Sequence, residues 1–304
     1  MKKIIALILA LATCTCAMFT LASCNKEDDN LGAAYDKALA AINYDASKYT
    51  ETLTVAMSPD FAPMEFYDTA KSGSDAIVGF DVLLATYIAN ELGMKLVIDP
   101  MSFDASMAAV TTGAADLAIS GFSWTAERAE TFLISDWYEA GENETEQILI
   151  TTKDKADKFT KDMTDFTDLK IGAQGGSLQE LLVKEQLVTK GAKMELYGDI
   201  NVAATALAAG DIDALAVAYG NGEALANDTI VLSEFYFEVE DKYKNNVVLL
   251  NKEDGELLTK VNAALAKAKA AGLYDTWYEA CQIYAEVKTI DELGYDDEGN
   301  KITE

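Results

Sequence analysis

The 304-residue chain has no histidine, three prolines, four cysteines and one arginine, Arg128, against twenty-three lysines. Each shortage removes a class of chemistry. Without histidine, the commonest ligand for zinc and copper and the usual general base near neutral pH are both missing. A metal-capturing role is therefore disfavoured, and neither a metal nor a cofactor is expected. Basic side chains are scarce overall, and a formal charge of −27 at pH 7 leaves no basic face for nucleic acid. So large a negative charge reads as solubility at a cell surface rather than as a clue to what is bound.

What is present at the amino end sets the compartment. Lys2 and Lys3 precede an almost unbroken apolar or small run from Ile4 to Phe19, then Leu21-Ala22-Ser23-Cys24. This is an export signal: as a membrane span the run is marginal in length, contains Thr13, Thr15 and Thr20, and ends in small residues rather than a basic flank. The quartet resembles the bacterial lipoprotein processing site. That resemblance implies removal of residues 1–23 and a lipid on Cys24, hence an extracytoplasmic chain anchored to the membrane through its acyl groups. Losing two lysines and no acids takes the charge from −27 to −29. Asn25 to Asn30 is polar and reads as a solvated tether, within a segment 24–50 leading into the folded part. With Cys14 and Cys16 removed and Cys24 lipidated, only Cys281 remains, so no internal disulfide can form.

About 280 residues remain, half of the chain is apolar, and by length this predicts two lobes. From Thr52 onward strand-like and amphipathic helical runs alternate, an α/β pattern built on largely parallel strands. Leu53, Val55 and Met57 alternate in a strand that Ser58-Pro59-Asp60-Phe61-Ala62-Pro63 breaks with two of the three prolines. Gly79-Phe80-Asp81 opens a helix with Phe80, Leu84, Tyr87, Ile88 and Leu92 on one face and Gly93 as its left-handed stop. A strand Lys95 to Met101, a short helix capped by Asp104 and ending at Gly113, and a buried strand Ala115 to Ser120 complete the first unit. Beyond a strand Gln147 to Ile150, a second unit has a strand Leu169 to Ala173 and a capping box Ser177-Leu178-Gln179-Glu180. It continues with a helix from Asp199 to Gly210 and a strand Ile212 to Val217. Asn246 to Leu250 returns to the first unit, before a long helix from Asp254 to about Gly272 and a last segment Leu273 to Tyr284. The expected boundaries are lobe 1 at 51–147 plus 243–285, lobe 2 at 148–242, and an acidic tail at 286–304. Crossings near 146–151 and 240–247 would form a hinge, and the carboxyl ends of both sets of strands would face one cleft.

The lone arginine stands out, because a planar fork of fixed donors suits bidentate grip of a carboxylate. On spacing alone a salt bridge would explain it equally well. The run Ala115-Asp116-Leu117-Ala118-Ile119-Ser120-Gly121-Phe122-Ser123-Trp124-Thr125-Ala126-Glu127-Arg128 resembles the polar amino-acid-binding proteins of ABC importers, the family 3 extracellular solute-binding lipoproteins. Gly79-Phe80-Asp81-Val82, Leu169 to Ser177, Leu207 to Asp213 and Gly272-Leu273-Tyr274-Asp275-Thr276-Trp277 match further family segments in order, so the resemblance covers nearly all of Leu53 to Trp277.

The resemblance implies a two-lobed periplasmic-binding-protein-like fold of type II, with two crossover hinge strands and the ligand between the lobes. It implies capture of an amino acid or related small carboxylate by a monomer that serves an ABC permease, without catalysis. Arg128 would clasp the α-carboxylate, aided by Ser120, Gly121 and Ser123 and, from the second lobe, by Gly176 and Ser177 at a helix N-terminus. Phe61 and Phe103 match positions where rings face the ligand side chain, and Trp124 is a further candidate for the cleft edge. The sequence departs from the pattern at Ala218, where the family carries an aspartate for the ligand ammonium. Asp60, Glu65 and Glu223 are candidate substitutes, with Ala218 and Tyr219 at the altered position, and a ligand without an ammonium is the other way out. Asp213 is read as structural. Ser58 stands where members binding cationic amino acids have an acid, which disfavours lysine- or arginine-like ligands. The alternatives are a dehydratase-like enzyme on the same scaffold, with Glu65 as the one candidate acid or base, and a ligand-sensing ectodomain.

Overall fold

A computed structural model of the chain describes residues 32–138 and 145–285. The export signal, Cys24, the polar stretch after it and the tail at 286–304 fall outside the described residues. Part of the segment read as a lead-in belongs to the first lobe itself. Helix α1 (Ala33–Ala41) presses Tyr35 and Ala38 into the core, and Tyr35, 1% exposed, packs its ring 5.3 Å from that of Tyr284.

Strand β1 (Thr52–Met57) buries Leu53, Val55 and Met57 completely, as their alternation requires. Past Ser58-Pro59 the chain makes a small antiparallel sheet from β2 (Asp60–Phe61), β3 (Glu65–Tyr67) and β4 (Ile77–Val78). Helix α2 (Phe80–Leu92) ends at Gly93, which adopts the left-handed conformation at φ 68°, ψ 36°. It is buried on nearly every side rather than along one stripe, because it touches the small sheet, β5 and the two carboxyl-terminal helices at once.

The lobe continues through β5 (Lys95–Pro100), α3 (Phe103–Thr112), β6 (Leu117–Ala118), α4 (Ala126–Thr131) and β7 (Leu133–Ile134). Asp104 is not the cap of α3: Ser102 holds the cap position, and the Asp104 carboxylate accepts from the Ser102 hydroxyl at 2.6 Å. The strand expected over Ala115 to Ser120 contracts to two residues, although Asp116 N–H and Ile119 N–H still bond to β1 carbonyls on either side.

The second lobe holds β8 (Gln147–Thr152), β9 (Lys170–Gln174), α5 (Leu178–Leu182), β10 (Lys193–Tyr197), α6 (Ile200–Ala209), β11 (Ala214–Ala218), α7 (Tyr219–Leu225) and β12 (Ile230–Tyr236). The chain then returns as β13 (Leu249–Leu250), α8 (Gly255–Ala270) and α9 (Leu273–Tyr284). The first sheet runs β5-β1-β6-β13-β7 and the second β10-β9-β11-β8-β12. In each, three parallel strands meet an antiparallel pair, and the parallel strands aim their carboxyl ends at the other lobe's loops.

The described flanks of the two crossings pair with each other. Tyr138 and Asn246 exchange backbone hydrogen bonds at 3.0 and 3.2 Å in lobe 1, and Phe237 N–H donates to the Gln147 carbonyl at 2.8 Å in lobe 2. Gln147–Thr152, which overlaps the expected crossing at 146–151, is a strand of the second sheet.

Candidate functional site

Arg128 sits in the first turn of α4, where the Thr125 hydroxyl caps the helix by accepting from Arg128 N–H at 3.1 Å. Its side chain is only 5% exposed and lies against the paired rings of Phe103 and Phe122, with centroids 5.6 and 5.3 Å from the guanidinium carbon. One terminal nitrogen, Nη1, donates to the Ser123 carbonyl in its own lobe, and Nη2 donates to the Gly176 carbonyl across the cleft at 2.6 Å. The salt-bridge explanation has no counterpart: among the described residues no acid forms an ion pair with Arg128. Burial pushes its pKa down to about 10, so the group stays cationic at neutral pH. A buried guanidinium whose hydrogen bonds go to carbonyls has the chemistry to receive an anion.

The lobes touch closely around it. Asp60, 7% exposed, accepts from the Ser58 hydroxyl in its own lobe, and from Gln174 Nε2 and the Ile200 N–H of the other lobe, all at 2.9 Å. One glycine permits the approach: a Cβ on Gly176 would stand 2.7 Å from the Met107 methyl of the other lobe. Within lobe 1, a Cβ on Gly121, whose φ is +55°, would meet the Phe61 ring at 2.7 Å.

A cavity between the lobes is lined by Phe61, Phe103, Ser120, Gly121, Ser123, Arg128 and Ser177 from the sequence-derived set. Gly176 borders it through the carbonyl bonded to Arg128. Gln147, Gln174, Leu178, Gln179, Ile200 and Asn246 also line it, and sequence reasoning passed over all six. Gln174 and Gln179 flank the Gly175-Gly176-Ser177 turn closely enough to have been found. Gln147 could not have been, because its place depends on pairing with Ala218 across β8 and β11.

Several candidates fall elsewhere. Trp124 packs partly against the Phe103 and Phe122 cluster outside the lining. Glu65 is fully buried beneath the Ser120 loop, and Asp60 is an interlobe contact rather than a wall of the cavity. Ala218 and Tyr219 are buried at the end of β11 and the start of α7, where Tyr219 stacks on Tyr236, and Glu223 lies further along α7. None of these lines the cavity. Asp213 accepts from Lys155 Nζ at 2.8 Å and Lys170 N–H at 3.0 Å. Those bonds hold its pKa below the usual value against the opposing effect of burial.

Several expected anion donors are already committed. The Ser120 hydroxyl donates to Glu65 and accepts from Ser58 N–H, while Gly121 N–H donates to Asp81. The Ser177 hydroxyl donates to the Gln174 carbonyl and caps Glu180 N–H, and Gly176 N–H donates to the Glu180 carboxylate. The Glu180 side chain reaches Gly176 N–H, one residue ahead of the cap, so the expected capping box is shifted by one. Ser123 and the N–H groups of Leu178 and Gln179, which have no acceptor within their own helix, remain beside Arg128.

Comparisons with known proteins place this geometry. The model of the bacterial extracellular solute-binding proteins, family 3, matches residues 53–280. An arginine-binding extracellular protein, ArtP, of Bacillus subtilis is 27% identical over 283 residues, covering 90% of this chain and 94% of that protein. A substrate-binding protein of an amino acid ABC transporter from Streptococcus pneumoniae, solved with L-arginine, superposes with a TM-score of 0.67 at 32% identity, over 83% of this chain and 98% of that one. An ancestral amino acid-binding protein described as a precursor of cyclohexadienyl dehydratase gives a TM-score of 0.62 at 31% identity, over 75% and 94%. The chain, with its two α/β lobes closing on a buried arginine, belongs to the bacterial extracellular solute-binding proteins, family 3.

Proposed function

We propose that the protein captures a free amino acid, or a closely related small carboxylate, between its lobes and delivers it to an ABC permease. It acts outside the cytoplasm as a monomer held to the membrane by lipid on Cys24. The observation that carries the reading is Arg128: a cation buried where the lobes meet, bonded to a carbonyl from each, and with no acid among the described residues ion-paired to it. A ligand carboxylate supplies the missing charge and draws the lobes together, which is a population shift toward the closed form. The arginine-binding protein of Bacillus subtilis and the L-arginine complex from Streptococcus pneumoniae support an amino acid as that ligand.

The ammonium meets a neutral acceptor. Ala218 is directly paired with Gln147 across the ladder, and the Gln147 side chain lines the cavity, with its Oε1 accepting from Gln179 Nε2 at 2.6 Å. Ser58 argues against cationic ligands, yet relatives named as arginine-, lysine- and histidine-binding keep those amino acids in the ligand panel. The dehydratase-like alternative needs a carboxyl poised over the ligand. Glu65, its one candidate, turns its carboxyl to Ser120 under the loop, which supports binding without catalysis.

The test is the shift in melting midpoint with L-arginine, L-lysine, L-histidine, L-glutamine and L-glutamate, each beside its deaminated analogue. A ligand at 100 times its Kd adds about 2.7 kcal/mol of stability and raises the midpoint by several degrees. A flat panel would contradict the proposal.

A further inference from the structure

Directly beneath the Ser120-Gly121 loop lie two carboxyl groups that both carry no measurable exposure, Glu65 on β3 and Asp81 on α2. Their bonds divide neatly. Glu65 Oε1 accepts from the Ser120 hydroxyl at 2.5 Å, and Asp81 Oδ2 accepts from Gly121 N–H at 2.7 Å and from the Tyr138 hydroxyl at 3.1 Å. The remaining oxygen of each, Glu65 Oε2 and Asp81 Oδ1, receives no donor from any other group, and among the described residues no lysine or arginine pairs with either acid. Two bare carboxylates, fully buried and close enough for the charge of Asp81 to act on Glu65, would repel and leave two buried acceptors unsatisfied. One proton between them cures both faults.

We propose that Glu65 and Asp81 share a single proton, donated by Glu65 to Asp81, and that the joined pair is the positioning device that sets Ser120 and Gly121 against the cleft. Asp81 is the ionised member because two donors already stabilise its charge, whereas Glu65 receives one. Burial first, and then the Asp81 charge, raise the Glu65 pKa well above the ordinary range, with Asp60 adding to the effect. The other titratable groups facing the pair stay neutral: burial pushes both the Tyr138 hydroxyl and the Cys281 thiol up, so Tyr138 remains a donor.

The consequence for the site is specific. Ser120 spends its proton on Glu65 and its lone pair on Ser58 N–H, and Gly121 spends its N–H on Asp81. Neither is a donor to the ligand. Their work is to fix the turn that carries Ser123 and leads into Arg128, which is where this inference rests on the proposed binding reading.

Proton counting provides the test. Glu65→Gln and Asp81→Asn each keep one hydrogen between the two side chains and the same net charge, but combined they set two amide N–H groups face to face. An infrared spectrum at about pH 8, above the range in which Asp60 titrates, shows a protonated-carboxyl band in the wild type that disappears in E65Q. E65A lowers affinity for L-arginine roughly tenfold or more, E65Q restores it to within about threefold, and the E65Q/D81N double variant loses more melting midpoint than the two single variants together. No such band in the wild type, a Gln variant as weak as the Ala variant, or additive midpoints would overturn the inference. Should the wild type bind no amino acid, the binding reading fails alone, while the band and the midpoints still decide whether the proton is shared.

Discussion

At the residue scale, the site turns on one charge and one substitution. Arg128 was legible because a chain that uses lysine everywhere else keeps a single arginine, and because the Thr-x-x-Arg helix start fixes where it points. Its two carbonyl partners were not legible, since one of them, Gly176, arrives from 48 residues away across the cleft. Ala218 is the reverse case: the missing acid was plain in the sequence, but its neighbour Gln147 emerges only from the antiparallel register of β8 and β11. Ala218→Asp should return a counter-charge for an ammonium and strengthen binding of α-amino acids about tenfold relative to their deaminated analogues. Paired calorimetric titrations check this, and equal gains for both ligand types would show that the ammonium lies elsewhere.

At the element scale, most helix stops and caps read correctly, the exceptions being α3, whose cap is Ser102 rather than Asp104, and the capping box at Ser177, whose Glu180 reaches Gly176. Gly93, Gly113 and Gly210 stop their helices in the left-handed conformation, and Asp199 and Ser177 cap theirs through side-chain bonds to Val202 and Glu180. Ser177→Ala should cost about 1 kcal/mol of stability through the lost cap, read from urea unfolding. The larger differences in the elements had a long-range cause. Helix α2 carries no clear stripe because it is enclosed by layers contributed from both ends of the chain, and the strand at Leu117–Ala118 is cut short because the loop after it is pinned to Glu65 and Asp81. A methyl group on Gly121 would meet both a positive φ and the Phe61 ring. Gly121→Ala should therefore destabilise by roughly 1–3 kcal/mol, and its melting midpoint should fall accordingly.

At the scale of the whole molecule, closure should be linked to protonation through Asp60. Asp60 is held by Gln174 and Ile200 of the other lobe, and burial there raises its pKa from 3.8 to about 6, with Asp199 adding to the rise. Separation of the lobes returns the carboxyl to water and to its ordinary value. Because the closed form binds the proton more tightly, Asp60 favours closure most below about pH 4, and that contribution is lost as pH rises through about 6. Ligand affinity of the wild type relative to Asp60→Asn should accordingly decline between those values, and parallel pH profiles would remove Asp60 from the closing equilibrium. The two-lobed plan itself was readable from the alternation of strands and helices. That Gln147 belongs to the second sheet was not legible, because its place there comes from long-range pairing with Ala218.

The most direct measurement is isothermal titration of the best ligand from the amino-acid panel into the wild type, Arg128→Lys and Arg128→Ala. If the guanidinium clasps the ligand carboxylate, Arg128→Ala loses at least about 3 kcal/mol, over a hundredfold in Kd, and Arg128→Lys recovers only part of it. Affinity unchanged in Arg128→Ala would contradict the account.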